Sequence, residues 1–170
     1  KNEKSILEPT NPYSASKTSA DIISQTYFKC YKMPISIIRA NNLYGDYKYV
    51  EKIIPATINA INNGKKLRIH GKGGNFRNFL HVDDFASAVH LVTFKSKNGE
   101  IFNVKGNFRI KIIDLIKKLS KISNKKVNKF SRFIKDRPFN DFIYNISDKK
   151  IKLLGWKEKK IFNNEIVKIL

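Results

Sequence analysis

Cysteine is nearly absent: Cys30 stands alone, so no disulfide can close within the chain. A lone thiol fits a reducing compartment, and a cytoplasmic location is the expectation. No run of eighteen apolar residues occurs, which excludes a helical membrane span, and no secretory leader is visible. The three histidines, His70, His81 and His90, show no paired ligand spacing, so no metal site is expected. Acidic residues are also scarce, 14 against 34 basic ones, for a net charge of +20. Such an excess is the footprint of a nucleic-acid binder. Here, however, it is overwhelmingly lysine, which lacks arginine's planar fork for bases and phosphates. The lysines spread from Lys1 to Lys168 among many Ile and Asn. A general compositional drift produces that pattern, and no specific nucleic-acid partner is expected.

What is present is a chain of 170 residues, 41% apolar, long enough to bury a core. Asn11 and Pro12 are a good N-cap and first helical residue, and Ala20, Ile23, Tyr27 and Tyr31 keep helical spacing up to Pro34. The spacing predicts a helix over 12–32. "ISIIRA" (35–40) reads as a buried parallel strand. "NNLYGDY" reads as a loop, and "EKIIPATINAINNG" as a helix closed by Gly64. Short strands are expected at "KLRIH", "RNFLHV" and "GEIFNV". Helices are expected from Asp83, over "IIDLIKKLSKI", in a capped "SDKKIKLLGW" ended by Gly155, and near 161–170. "DRPFND" reads as a polar turn. Strands alternating with helices make the class α/β.

The stretch "NPYSASKTSAD" places Tyr13 and Lys17 one helical turn apart on one face, among small residues. An ammonium close to a phenol favours the phenolate. The pair therefore has the geometry of a proton-transfer couple, and small neighbours let a flat ligand approach. A surface tyrosine with a lysine one turn on would have the same spacing.

Context extends the pattern. "EPTNPYSASKTSAD" resembles the catalytic helix of the extended short-chain dehydrogenase/reductase family. "RANNLYG" (39–45) resembles its Arg-x-x-Asn-x-Tyr-Gly segment. "EKIIP", "IHGKGGNFRNFLHVDDFASAV", "GEIFNV", "DRPFND" and "KLLGW" follow in family order. Together they are most similar to the nucleotide-sugar 4,6-dehydratases, with 4-epimerases and decarboxylases sharing the first half of the pattern. A non-catalytic nucleotide-sugar-binding fragment is a further alternative.

The resemblance implies the second half of a Rossmann-like doubly wound sheet plus a small C-terminal substrate-binding subdomain. Residues 1–45 would complete an NAD-binding domain. Residues 46–170 would mainly hold the nucleotide sugar, with some segments returning to the sheet. NAD is the implied cofactor and a homodimer the implied assembly. Tyr13 is implied as the base and Lys17 as the cation that holds the nicotinamide ribose. Asn42, Lys52, Arg77, Asn103 and Arg137 are implied substrate contacts. An arginine fork such as Arg77 suits a phosphate. His81, Asp83 and Asp84 are implied as strand end and helix cap, and Trp156 as packing. The resemblance also implies a glycine-rich cofactor turn and an Asp–Glu dehydration pair ahead of Tyr13, and these residues contain neither. Ile143 and Leu43 depart from the Arg and Asn usual in the 4,6-dehydratases.

Overall fold

Asn11 sets the first helix by a reciprocal cap. Its Oδ1 accepts from Ser14 N at 2.9 Å, while Ser14 Oγ accepts from Asn11 N at 3.1 Å. With Pro12 at the first position, helix α1 runs Pro12–Tyr31 and stops where Lys32 turns left-handed, φ 55°, ahead of Pro34. The computed structural model describes residues 1–46 and 51–170. Strands β1 (Ile37–Ala40) and β2 (Asn42–Tyr44) follow, then α2 (Ile53–Asn63), β3 (Leu67–His70), β4 (Phe76–His81) and α3 (Val82–Lys95). The order continues with β5 (Ile101–Val104), β6 (Phe108–Lys111), α4 (Ile112–Ile122), α5 (Val127–Phe130), β7 (Ser131–Ile134), α6 (Lys149–Leu153) and α7 (Phe162–Ile169).

Pairing is mostly parallel. β1 lies beside β5, from Ile37↔Ile101 to Ala40↔Val104. β2 lies beside β4, Tyr44 opposite His81, and β3 beside β7. Among the described residues only β6 runs antiparallel, against β4, with Phe79 opposite Phe108. Helices connect the parallel strands, as crossover geometry requires. The α/β reading holds.

Two apolar clusters form. One gathers Tyr44, Ile54, Ile61, Ile69, Phe79, Leu115, Ile116, Leu119 and Phe162 among others; the second gathers Leu80, Ala88, Val92, Phe102, Val104, Ile151 and Trp156. Leu115, Ile116 and Leu119 of α4 are fully buried at helical spacing, each contributing about 1.5–3 kcal/mol. By contrast, α1 buries no residue, and Ile22, Ile23, Tyr27 and Tyr31 are all exposed.

The structure corrects several expectations. Residues 42–44, expected in a loop, are a strand because β4 offers them a parallel edge; the rest of that stretch beyond Asp46 lies outside the described residues. β6, α5 and β7 had no separate expectation. β7 exists through its pairing with β3, which a four-residue run without polar/apolar alternation such as "SRFI" does not announce. Asp148 makes no capping hydrogen bond to α6; its Oδ2 instead meets Lys152 Nζ at 2.8 Å.

Trp156 fills the packing role expected of it, while Asp84 is structural but does not cap α3. The Asp84 carboxylate accepts from the backbone N–H groups of Lys159 and Lys160 at 3.1 and 2.8 Å. Trp156, buried, donates Nε1 to the Asp84 carbonyl and to Ser87 Oγ. His81 caps α3, its Nδ1 accepting from Asp83 N at 3.2 Å. Among the described residues no group of three or more His, Cys, Asp or Glu side chains could hold a metal ion, and no helix is long and apolar enough to cross a membrane.

Candidate active site

The cap on α1 fixes Tyr13 in its first turn and brings Lys17 round to the same side. Lys17 Nζ lies 5.8 Å from the centre of the Tyr13 ring. Tyr13 is 69% exposed, and both side chains line a groove of about 1030 Å³. The whole of β1 lines it too, with Ala20 and Ser24 of α1 as small wall residues. Asn42, Lys52 and Arg77 enter the same groove from β2, the start of α2 and β4. Elements far apart in sequence therefore put a phenol, two ammonium groups, an amide and a guanidinium round one space.

A second pocket of about 430 Å³ adjoins it and holds Arg137, Pro138 and Phe139. Tyr13, Arg77, Asn11 and Asp141 line both spaces. The 136–141 turn is shaped by Asp136, whose Oδ1 accepts from Arg137 N at 2.8 Å and Asn140 Nδ2 at 2.9 Å. These hydrogen bonds hold the Asp136 carboxyl below the usual carboxylate range. At the tip Phe139 is left-handed, φ 54°, a conformation a bulky side chain seldom adopts.

Arg77 joins this turn to β4. Its Nη1 donates to the carbonyls of Phe76 at 2.7 Å and Asp141 at 2.8 Å, and its Nη2 to Asn140 Oδ1 at 3.2 Å. Burial pulls its pKa down from the ordinary arginine value; the Asp141 carboxylate raises it and the Arg137 charge lowers it further. The guanidinium remains charged in any case.

Asn103 does not join the others. It is buried on β5 opposite Arg39, its backbone N–H donates to Glu3 Oε1 at 3.0 Å, and it lines neither space. Parallel pairing with β1 keeps it inside the sheet. Sequence reading in turn passed over Asn41, Asp141 and Tyr144, which all line the groove. The first was signalled by the Asn doublet in "RANNLYG", Asp141 by its place at the end of the "DRPFND" turn and Tyr144 by lying just after it.

A model of the GDP-mannose 4,6 dehydratase family matches residues 1–169. The chain belongs to this family. Among curated members it is 41% identical to a dTDP-D-glucose 4,6-dehydratase of Dictyostelium discoideum, over 92% of this chain and 44% of that one. With the human dTDP-D-glucose 4,6-dehydratase it shares 38% identity, over 92% of this chain and 46% of the relative. The fold matches the dTDP-glucose 4,6-dehydratase of Streptomyces venezuelae, solved with NAD bound, at TM-score 0.95 and 30% identity, covering 99% of this chain and 52% of that one. This dehydratase-family chain thus spans about half the length of the relatives it matches. Membership confirms the extended short-chain dehydrogenase/reductase resemblance and the Rossmann-like α/β class.

Proposed function

We propose that this chain carries the proton-transfer pair and the nucleotide-sugar lobe of an NAD-dependent 4,6-dehydratase that converts dTDP- or UDP-glucose to the 4-keto-6-deoxy sugar. The observation that carries the reading is the shared groove: Tyr13 and Lys17 open on the same space as Asn42, Lys52 and Arg77. Residues 1–45 contribute mainly to the cofactor lobe and 46–170 mainly to the substrate lobe, β5 returning to pair with β1.

The groove suits the nicotinamide end of NAD. Ile37, Ile38 and Ala40 wall it, small residues of α1 leave room, and the Tyr–Lys pair stands at its edge. NAD, when bound, supplies the capacity to take up a hydride and give it back. Tyr13 Oη takes the proton of the sugar 4-hydroxyl. Lys17 holds the cofactor ribose and puts positive charge beside the Tyr13 oxygen, which must be negative to accept that proton and becomes neutral on taking it. Arg77 and Lys52 balance the diphosphate, Asn42 hydrogen-bonds it, and Arg137 holds the nucleotide at the adjoining pocket. Oxidation at C4 makes the C5 proton acidic, so water can be lost across C5 and C6. We assign the acid and base of that elimination to no residue of this chain.

The assembly we propose is a homodimer seated on the exposed stripe of α1, Ile22, Ile23 and Tyr27. The exposed free thiol of Cys30 favours a cytoplasmic setting.

The deciding experiment is Tyr13→Phe in the full-length protein, assayed with both nucleotide sugars. We expect kcat to fall by about 10²–10⁴-fold, the usual worth of a positioned general base, with little change in substrate affinity. Unchanged turnover removes Tyr13 from the reaction.

A further inference from the structure

Directly after β1 lies a side chain that the roles above leave unused. Asn41 is 5% exposed, and among the described residues neither its Nδ2 nor its Oδ1 meets a hydrogen-bond partner. Its backbone is fixed, the N–H donating to Val104 O at 3.2 Å. Yet it lines the groove, next to Asn42 and on the space that Tyr13 and Lys17 open into. A buried amide with both ends unpaired is uncommon and costs stability, so a ligand that completes it is the economical explanation.

The amide's chemistry narrows that ligand. It offers a donor and an acceptor side by side. A phosphate presents only acceptors and would leave Oδ1 facing negative charge. The groove's cations, Lys52 and Arg77, already suit phosphate. A group that both donates and accepts, and carries no charge, satisfies both ends at once. Adjacent hydroxyls of a hexose have that character, and Tyr13 acts on one of them.

We propose that Asn41 is a substrate-binding residue that reads the hydroxyls of the sugar held beside Tyr13, and so contributes to sugar specificity. The inference rests on the nucleotide-sugar reading of the same groove. It differs in kind from the contacts of Arg77 and Lys52, which sense the diphosphate whatever sugar it carries.

Asn41→Leu and Asn41→Asp in the full-length protein test it, with calorimetric titration of dTDP-glucose, UDP-glucose, the free nucleoside diphosphates and NAD. For Asn41→Leu we expect nucleotide-sugar affinity to fall by about 5–100-fold, the worth of two hydrogen bonds. Affinity for free diphosphate and for NAD should stay within about twofold, and the ligand-free melting temperature should hold or rise, because an unpaired buried amide is gone. Asn41→Asp keeps the shape, so it should lose sugar affinity as well through the lost donor. Equal weakening of sugar nucleotide and free diphosphate overturns the inference, as does a loss confined to NAD. So does a lower ligand-free melting temperature with sugar affinity intact, which would make the amide an internal strut. If the wild-type protein binds neither nucleotide sugar, the functional reading itself fails. Wild-type binding with unaltered variants sinks this inference alone.

Discussion

Arg39 grips both carboxylate oxygens of Asp21: Nε donates to Oδ2 at 2.7 Å and Nη2 to Oδ1 at 3.0 Å. The pair is largely buried, Gln25 Nε2 adds a bond to Asp21 Oδ1 at 2.7 Å, and Arg39 Nη1 reaches the Glu3 carbonyl at 3.1 Å. It thereby ties α1, which carries Tyr13 and Lys17, to β1. Because α1 buries no residue, this clamp carries much of the helix's attachment.

Asp21→Ala should therefore cost about 1–3 kcal/mol at neutral pH, since it leaves a largely buried guanidinium with only the Glu3 carbonyl as partner. Burial raises the Asp21 pKa, but the hydrogen bonds from Arg39 and Gln25 and the Arg39 charge outweigh it and leave the carboxyl below its ordinary value. The unfolded chain titrates near the ordinary value of about 3.9. The stabilisation is thus complete above that pH and is lost as pH falls through the lower folded value. Urea melts of both proteins from neutral to acid pH check this; the gap between them should close at the acid end.

Arg77→Lys removes the planar fork and keeps the charge. Two of the fork's three present bonds go to the 136–141 turn, the third to the Phe76 carbonyl. We expect KM for the nucleotide sugar to rise about 10-fold or more, in line with charge-assisted hydrogen bonds, with a smaller effect on kcat. Faster proteolysis at the 136–141 turn should accompany it. Steady-state kinetics with an unchanged KM would place Arg77 outside substrate binding.

Glu158 gives a pH effect of opposite sign. Burial lifts its pKa above the ordinary glutamate value, against the hydrogen bond it accepts from Asn107 N at 2.8 Å. A raised folded pKa means that the penalty appears as pH rises past the ordinary value and is complete above the folded one. Glu158→Gln retains an acceptor for Asn107 and removes the charge. Its melting temperature should exceed wild type at neutral pH, with no difference below about pH 4, where the unfolded glutamate also protonates. A pH-independent difference would contradict the account.

Gly106 sits against the backbone of β4. A Cβ there would come within 1.8 Å of the Phe79 carbonyl oxygen, while the Gly106 carbonyl accepts from Asn78 Nδ2 at 2.8 Å. Backbone cannot step aside as a flexible side chain can. Gly106→Ala should cost about 3 kcal/mol or more in thermal unfolding. Gly64→Ala, in open space with φ 63°, should cost only the left-handed strain, about 1–2 kcal/mol.

Much of this was legible along the chain. The α1 boundaries follow from Asn11, Pro12 and Pro34, and the Gly64 stop of α2 from its left-handed φ. These are local signals, in which the residue that makes the structure is the one that reports it. The Tyr13–Lys17 couple belongs with them, because helical geometry alone puts positions four apart on one face.

The sequence by itself determined the α/β alternation, the helix ends and the shared face of the phenol and the ammonium. Each depends on backbone preferences within a turn or two. Only the tertiary structure decided that Asn42, Lys52 and Arg77 meet that face, that Asn103 stays inside the sheet, and that Asn41 is buried with its amide unpaired. Those outcomes depend on which strands pair and on what lies across the groove, and parallel pairing joins residues dozens of positions apart that carry no local mark of one another.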